Sequence, residues 1–436
     1  MELAKLLKRK KRKEEVITLG KINGSIFKEE TLSEGQLNHH VHVVGASGYG
    51  KSVLLEHIVK DRIQKNKGMM FIDLKGDIET IERFKRYAKE VNRENDVQIF
   101  SISDQSISSS YNLILEGTAT QLRDKIILSL VWSEEYYKNQ SSSFLLKLLI
   151  GLCYLRDNSK LKFNLGTILS CFGKLDFLEA LIEKVPDSES RTKLIFEECY
   201  HFLRSSDMVK SLQGLKTQLE SLIYADFGDL ISRRDSEIDL FESVQNNKLV
   251  FIFLDSRRYG ETAKTVGKFI LQDLKMVSSK VDAEVRKVDR KQFTVIIDEF
   301  SDLASEDFIS FLDRARSAKM GIIVAHQEIC DLLRISPEFA GRLMGNTSTL
   351  YAFLQKRPES AELISAIAGT KKVWKETLRS EKLLFFDIHT GDKSLREVEE
   401  FNIHPNLIKS LRVGECVSVK KYPRSIANIV KVNHET

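Results

Sequence analysis

Apolar runs alternate with amphipathic stretches along most of the chain, and this alternation predicts a sheet flanked by helices. Uninterrupted apolar runs are typical of parallel strands that are covered on both faces. Helical periodicity separates the runs, so the predicted fold class is α/β with a mostly parallel sheet. The predicted strands follow a hairpin at 16–27 that turns at Asn23-Gly24, and cover 41–44, 68–73, 97–102, 248–255, 293–297, 321–325, 346–354, 415–419 and 426–432. Helices are predicted at 78–91, 261–279, 306–319 and 359–368.

The pattern changes between residues 133 and 236, where strand-like runs give way to leucines, phenylalanines and isoleucines at helical spacing. This predicts an all-α domain inserted into the sheet domain. The expected organisation is a basic flexible tail at 1–15, a first part of the nucleotide-binding domain at 16–132, the inserted domain at 133–236, and a second part of the nucleotide-binding domain at 237–436.

A glycine-rich turn follows the run at 41–44 and precedes a helix that opens with Lys51-Ser52. This spacing matches the phosphate-binding loop GxxxxGK[ST]. Lys51 would reach the β- and γ-phosphates, the Ser52 hydroxyl would ligate Mg²⁺, and the helix N-terminus would favour the anion. The residues predicted to contact the nucleotide are Gly45, Ala46, Ser47, Gly48, Tyr49, Gly50, Lys51, Ser52 and Val53.

The strand at 293–297 ends in Asp298-Glu299. With a phosphate loop upstream, a strand ending in two acids predicts the second half of a P-loop ATPase site. Asp298 would hold the Mg²⁺ ion and Glu299 would polarise the attacking water. A solvated strand edge is the alternative interpretation.

Gln327 follows the strand at 321–325 and is suited to contact the γ-phosphate and to respond to its loss. Arg314 and Arg316 lie on the preceding helix. They could form surface ion pairs with Asp307 or Asp313, or one of them could be an arginine finger that reaches a neighbouring subunit's nucleotide.

Composition sets further bounds. The formal charge is +5, but residues 1–13 hold seven bases and one acid, so the rest of the chain sums to −1. Charge therefore does not predict DNA binding by the body of the protein. The tail could contact DNA, anionic lipid or an acidic partner. The five scattered cysteines favour a reducing cytoplasm, and His40 and His42 are expected on one face of a strand rather than at a metal.

Four blocks in chain order resemble the type IV coupling proteins of bacterial conjugation, a group within the RecA-like DNA-pumping motors. They lie at 42–52, 71–77, 295–300 and 325–327. The block Asp73-Leu74-Lys75-Gly76-Asp77 and the C-terminal stretches at 399–406 and 411–415 are more specific than the ATPase motifs. Ser110-Tyr111-Asn112-Leu113 is similar to the family's Asn-Pro-Leu element but lacks its proline.

The resemblance implies a RecA-like P-loop domain that binds ATP and Mg²⁺, an inserted all-α domain, and a hexameric ring around DNA. It implies Arg316 as the trans-acting finger, with Arg314 second, and a relaxase or relaxosome and membrane-embedded secretion proteins as partners. Family members usually begin with transmembrane helices, and no apolar run here is long enough to span a bilayer. The expected location is therefore cytoplasmic, peripheral at the inner membrane face; a soluble subtype, another process or truncation would each explain the difference.

Three functions remain open. The first is a DNA-stimulated ATPase that translocates DNA to a secretion apparatus, with ATP favoured over GTP because no guanine-recognition motif occurs. The second is a nucleotide-gated adaptor that recruits relaxosome or effector proteins through residues 133–236. The third is a HerA-like motor in DNA processing or phage defence.

Overall fold

The computed structural model describes residues 15–25, 27–383 and 386–433, with side chains described outside 376–394. Apart from residue 15, the predicted basic tail lies outside these ranges, as do its suggested contacts.

Strands occur at most of the predicted positions. They are β1 (Val16–Ile22), β2 (Glu29–Ser33), β3 (Val41–Val44), β4 (Gly68–Asp73), β5 (Val97–Ser101), β6 (Leu249–Phe253), β7 (Phe293–Ile297), β8 (Met320–His326), β9 (Thr349–Ala352), β10 (Thr370–Leu383), β11 (Phe386–Phe401), β12 (Glu415–Lys420) and β13 (Ile426–Val432).

The α-helices connect these strands. They are α1 (Glu34–Asn38), α2 (Lys51–Gln64), α3 (Ile78–Glu90), α4 (Ala119–Ser129), α5 (Glu135–Ser159), α6 (Leu165–Gly173), α7 (Leu175–Ile182), α8 (Ser190–Arg204), α9 (Ser206–Ser211), α10 (Gln213–Ile223), α11 (Gly228–Ser232), α12 (Leu240–Gln245), α13 (Ser256–Glu284), α14 (Phe308–Ser317), α15 (Pro337–Asn346), α16 (Pro358–Ala368) and α17 (Pro405–Ile408).

The chain divides into two compact units. Unit 1 comprises Met1–Ile58 and Ile323–Thr436. Its strands lie in the order β2-β1-β13-β12-β9-β3-β8. β3 is parallel to both β8 and β9, with Val44 opposite His326 and Ala352, whereas the strands from β12 to β2 pair antiparallel. β3 is buried along its whole length, which is why its sequence is almost wholly apolar.

Unit 2 comprises Val59–Ile322 and contains four parallel strands in the order β7-β4-β6-β5. Helix α3 is amphipathic and buries Ile81, Phe84, Tyr87 and Ala88. Phe84 contacts the rings of Phe71 on β4 and Phe251 on β6, with centroids 5.1 and 5.2 Å away. Truncating such a buried aromatic side chain to alanine costs about 3–5 kcal/mol.

Residues 133–236 are largely helical, as the leucine spacing indicates, and run from α5 to α11. They belong to unit 2, in which α5 also packs on α4. An independent inserted domain therefore stays a prediction. No helix in the described ranges combines the length and apolar character needed to cross a bilayer.

The structure corrects one local expectation and adds one element that was not predicted. The second strand of the N-terminal hairpin begins at Glu29, after the turn at Asn23-Gly24. The long antiparallel hairpin of β10 and β11 was not predicted, because charged residues interrupt most of its sequence and its apolar run at 383–386 is only four residues long. Trp374 in β10 is 64% exposed, so even this large apolar side chain is not part of a buried face that a sequence pattern would reveal.

Candidate functional site

The phosphate loop in unit 1 has the backbone that its glycines predict. Gly48 and Gly50 have φ of +83° and +113°, which residues with a Cβ rarely adopt. Helix α2 starts at Lys51, directly after the loop. The Lys51 side chain is only 5% exposed, and its ammonium donates to the carbonyl oxygen of Gly45. The cation is thus held against the loop, where it can meet a phosphate.

Segments from the C-terminal half of the chain support this loop. The Ala46 N–H donates to the Leu354 carbonyl at 3.0 Å, and the Gly414 N–H donates to the Tyr49 carbonyl at 3.0 Å. A Cβ on Gly45 would overlap the Cβ of Phe353. Gly45 therefore permits close packing on the residue after β9, a constraint that the motif spacing alone does not reveal.

Gln327 lies at the start of the loop. The Gly45 N–H donates to the carbonyl oxygens of Gln327 at 3.0 Å and of His326 at 3.3 Å. The Gln355 amide also donates to the Gln327 carbonyl at 3.2 Å. The Gln327 side chain is exposed. Within unit 1 the fold thus brings together two parts of the predicted site, the phosphate loop and the candidate sensor.

A buried histidine pair connects β3 and β8. His42 Nε2 and His326 Nε2 are 2.6 Å apart, and the rings stack with centroids at 4.9 Å. His326 Nδ1 lies 2.9 Å from the Glu328 carbonyl and must donate to it, so His326 Nε2 accepts and His42 donates. Burial lowers the pKa of His326 to about 4, and burial together with the His326 charge lowers the pKa of His42. His40, which was expected to share the strand face, precedes β3 with φ of +63°.

The acidic pair lies in unit 2 after β7. The Asp298 N–H donates to the Ile72 carbonyl on β4 at 2.9 Å, and the carboxyl side chain is largely buried. Glu299 has φ of +53° and ψ of +41°, and its N–H donates to Asp298 Oδ1 at 3.0 Å. A left-handed residue without glycine is uncommon, and such conformations cluster at functional sites.

Lys75 is the residue of this site that sequence reasoning missed. Its Nζ lies 2.9 Å from Asp298 Oδ2 and 3.0 Å from Glu299 Oε1. Burial alone would lower the pKa of Lys75, but the charges of the two carboxylates outweigh it and raise that pKa above its usual range. The distinctive block at 73–77 was the available signal, although nothing in it predicted a contact 223 residues along the chain.

Asp73, at the end of β4, organises the loop that carries Lys75. Its carboxylate accepts from the N–H groups of Lys75 at 2.8 Å and Asp77 at 3.2 Å. Burial, opposed by these hydrogen bonds and assisted by the nearby Asp298 charge, raises the pKa of Asp73 to about 6. The loop is therefore held by a carboxyl group whose charged form is disfavoured by burial.

Arg314 and Arg316 are both exposed at the end of α14. Asp307, one suggested surface partner, binds Lys275 of α13 at 2.5 Å. Neither the trans-acting role nor the choice between the two arginines is tested by these contacts.

The residues assigned to Mg²⁺ have suitable chemistry. Mg²⁺ prefers oxygen ligands and is usually held by one or two carboxylates together with phosphates and water. The buried Asp298 carboxylate and the Ser52 hydroxyl are donors of this class. Within the part of the chain that the structure describes, no group of three or more His, Cys, Asp or Glu side chains could hold a metal by itself. A site completed by phosphate oxygens needs no such group.

A family model and a curated relative both relate this chain to coupling proteins. Residues 292–409 match a family model described as the TraM recognition site of TraD and TraG. The type 4 coupling protein DotL of Legionella pneumophila is 20% identical over 398 residues, which are 79% of this chain and 51% of DotL. The chain thus spans about half the length of this relative.

Solved structures share the fold. The unbound conjugative coupling protein TrwB lacking 70 N-terminal residues matches with a TM-score of 0.68 and 15% identity, covering 100% of this chain and 92% of TrwB. TrwB in complex with ADP and Mg²⁺ matches with a TM-score of 0.64 and 14% identity, covering 93% and 87%. The predicted α/β class, a RecA-like P-loop fold with a mostly parallel sheet, is confirmed. The C-terminal family model, the relationship to DotL and the fold shared with TrwB thus make this chain similar to type IV coupling proteins.

Proposed function

We propose that this protein is an ATP-hydrolysing DNA translocase that delivers DNA to a conjugative type IV secretion apparatus. The observation that carries the proposal is the phosphate loop of unit 1. Its two left-handed glycines, its inward-held Lys51 and its bond from Gly45 to Gln327 form a ready anion-binding turn at the start of α2. A loop of this kind binds a nucleoside triphosphate.

The proposed roles follow the motif chemistry. Residues 45–53 bind the nucleotide, with Lys51 neutralising phosphate charge. Ser52 and Asp298 ligate Mg²⁺, which would stabilise charge on the phosphates when bound. Glu299 orients the attacking water, and Gln327 couples phosphate release to movement.

Relatives support the nucleotide part of the proposal. TrwB has been solved with a non-hydrolysable ATP analogue and with ADP and Mg²⁺. These ligands are those of TrwB, and their transfer to this chain is inferred from the shared fold and from the phosphate-loop motif of this chain.

The assembly part rests on family resemblance. We infer a homo-hexameric ring around DNA, with nucleotide at subunit interfaces and Arg316 supplied by the neighbour. Expected partners are a relaxase or relaxosome and membrane-embedded secretion proteins, at the inner face of the membrane. The helical residues 133–236 would act as an inserted domain.

An ATPase assay tests this function. Hydrolysis is measured over a series of protein concentrations without DNA, with single-stranded DNA and with double-stranded DNA. We expect a steep concentration dependence and stimulation by at least one DNA form. Glu299→Gln should retain ATP binding and lose turnover by roughly 10²–10⁴-fold, because a general base contributes about that much. Glu306→Gln, an exposed acid seven residues on, is the matched control. A rate indifferent to DNA, with Glu299→Gln fully active, would exclude the motor.

The family model favours a second candidate, a nucleotide-gated docking adaptor. Its description concerns partner recognition by TraD and TraG, and it matches residues 292–409 rather than the helical segment. The helical segment itself exposes Tyr136, Leu194 and Tyr224, at 59%, 59% and 75%. Full-length variants with these three side chains replaced by serine should lose partner capture but keep ATPase activity if the segment is the docking surface.

A further inference from the structure

Lys75 forms a bridge between the two acidic residues at the end of β7. One ammonium contacts Asp298 Oδ2 at 2.9 Å and Glu299 Oε1 at 3.0 Å. The Asp298 and Glu299 side chains are 7% and 15% exposed, whereas Lys75 is 29% exposed. The two acids are thus largely shielded from solvent, and the lysine that bridges them is the most exposed of the three side chains.

The loop between β4 and α3 is built to aim this lysine. Asp73 binds the N–H groups on both sides of Gly76, and the Ser256 N–H donates to the Leu74 carbonyl at 2.8 Å. Gly76 has φ of +72°, and a Cβ there would lie 2.6 Å from the Asp255 Cβ. The backbone at Lys75 is therefore held by several contacts, and its side chain starts from a defined position.

An ammonium and a divalent cation satisfy the same carboxylate oxygens. While Lys75 binds both acids, a divalent ion must share or displace it and is repelled by its charge. Phosphate oxygens of a nucleotide would add ligands and negative charge that offset this repulsion. An ion that arrives with nucleotide thus has an advantage over an ion that arrives alone.

We propose that Lys75 is a positioning residue that holds Asp298 and Glu299 and competes with divalent cations for them until a nucleotide is bound. The proposal rests on the ATPase function inferred above and specifies how its acidic pair is controlled. By binding Glu299 it also keeps that carboxylate from polarising water before the site is loaded.

A merely structural ion pair is the competing explanation. Partly exposed ion pairs contribute little to stability, and their loss does not create a metal site. The two explanations therefore differ in the affinity of nucleotide-free protein for a divalent ion.

The test is Mn²⁺ binding to the full-length, nucleotide-free protein, followed by electron paramagnetic resonance of the free ion. Lys75→Met should bind Mn²⁺ at least about tenfold more tightly than the wild type, because one nearby positive charge is removed. Lys75→Arg keeps the charge and should remain close to the wild type. Lys264→Met is the matched control, since Lys264 also joins two acids, Glu261 at 2.9 Å and Asp302 at 3.7 Å.

Unchanged Mn²⁺ affinity in Lys75→Met, or an equal gain in Lys264→Met, would overturn the proposal. Should Lys75→Met fail to fold by circular dichroism, Lys75→Gln removes the charge while keeping a hydrogen-bonding group, and the same gain is expected. Because no turnover is measured, the result is separable from the proposed function. If Lys75→Met binds Mn²⁺ tenfold more tightly but the wild type has no ATPase activity, the competition by Lys75 is supported and the motor is refuted. If the wild type is an active ATPase but Lys75→Met binds Mn²⁺ no more tightly, the competition is refuted and the motor is supported.

Discussion

The N–H of Gly45, the first residue of the phosphate loop, donates to the carbonyl oxygen of Gln327 at 3.0 Å. The parallel pairing of β3 with β8 places Val44 opposite His326, so the hydrogen bond from Gly45 to Gln327 extends this strand pairing by one residue. A displacement of Gln327 is therefore transmitted to the loop through backbone. This contact gives a candidate sensor a direct mechanical connection to the residues that hold phosphate.

Replacing Lys51 should abolish tight nucleotide binding. Lys51→Ala removes a buried ammonium that is held at the loop. From the free energy that a hydrogen bond to a charged group contributes, we expect nucleotide binding to be about 10- to 100-fold weaker. Titration with a fluorescent ATP analogue measures the loss. Lys65→Ala, one residue after α2, should bind as the wild type does. Equal affinity of Lys51→Ala and the wild type would contradict the assignment of the loop.

Gly45 should tolerate no side chain. In Gly45→Ala the new Cβ would overlap the Phe353 Cβ, so the loop or β9 must shift. We expect a loss of about 1–3 kcal/mol in the free energy of unfolding and weaker ATP-analogue binding. Urea denaturation and the same titration measure the two effects.

Gly345→Ala is the matched control for that substitution. Gly345 lies in α15, and a Cβ there meets no atom within 4 Å. Alanine should stabilise this helix by about 0.5–1 kcal/mol. If Gly45→Ala were equally neutral or stabilising, the close packing on Phe353 would not constrain the loop.

Mixing two inactive variants should restore ATPase activity if Arg316 acts on a neighbour. Lys51→Ala keeps the arginine but loses nucleotide, and Arg316→Ala keeps nucleotide but lacks the arginine. At an interface between them, an intact nucleotide site meets an intact Arg316, so the mixture should exceed the sum of its parts. Arg314→Ala in place of Arg316→Ala should remain active by itself. Absence of complementation, with mixed assembly verified by native mass spectrometry, would argue against Arg316 in trans.

The titration of His326 should lower stability as pH drops from about 6.5 to 4, whereas Asp73, whose pKa is raised to about 6, acts in the opposite direction over part of this range. The pKa of His326 is lowered from 6.5 to about 4 in the folded protein, so the unfolded chain binds a proton that the folded one does not. The stability from the neutral pair is complete above 6.5 and is lost as pH falls toward 4, by about 3 kcal/mol for His326. Chemical denaturation at each pH measures this slope.

His326→Gln removes this titration, so between pH 6.5 and 4 its stability should fall less, or rise more, than that of the wild type, even if its stability at pH 7 is lower. The matched control is His201→Gln, because His201 is exposed on α8. Its slope should equal that of the wild type. Identical slopes for His326→Gln and the wild type would show that the buried pair does not govern acid sensitivity.

Local patterns were sufficient for most of the fold. The buried strands β3, β4, β6 and β7 are predominantly apolar, and glycine spacing marked the phosphate loop between one of them and a helix. The hairpin of β10 and β11 escaped prediction because its charged strands pair through backbone, which side-chain periodicity does not report.

By itself, the sequence determined the chemical groups available: the glycine turn with Lys51-Ser52, the strand ending in Asp298-Glu299, and Gln327. Each is a short-range pattern whose meaning depends on neighbours in the chain. Only the tertiary structure decided that Lys75 meets both acids, that His42 meets His326 across 284 residues, and that Phe353 requires glycine at position 45. These contacts join residues far apart in the chain, and strand order and packing set them rather than local sequence.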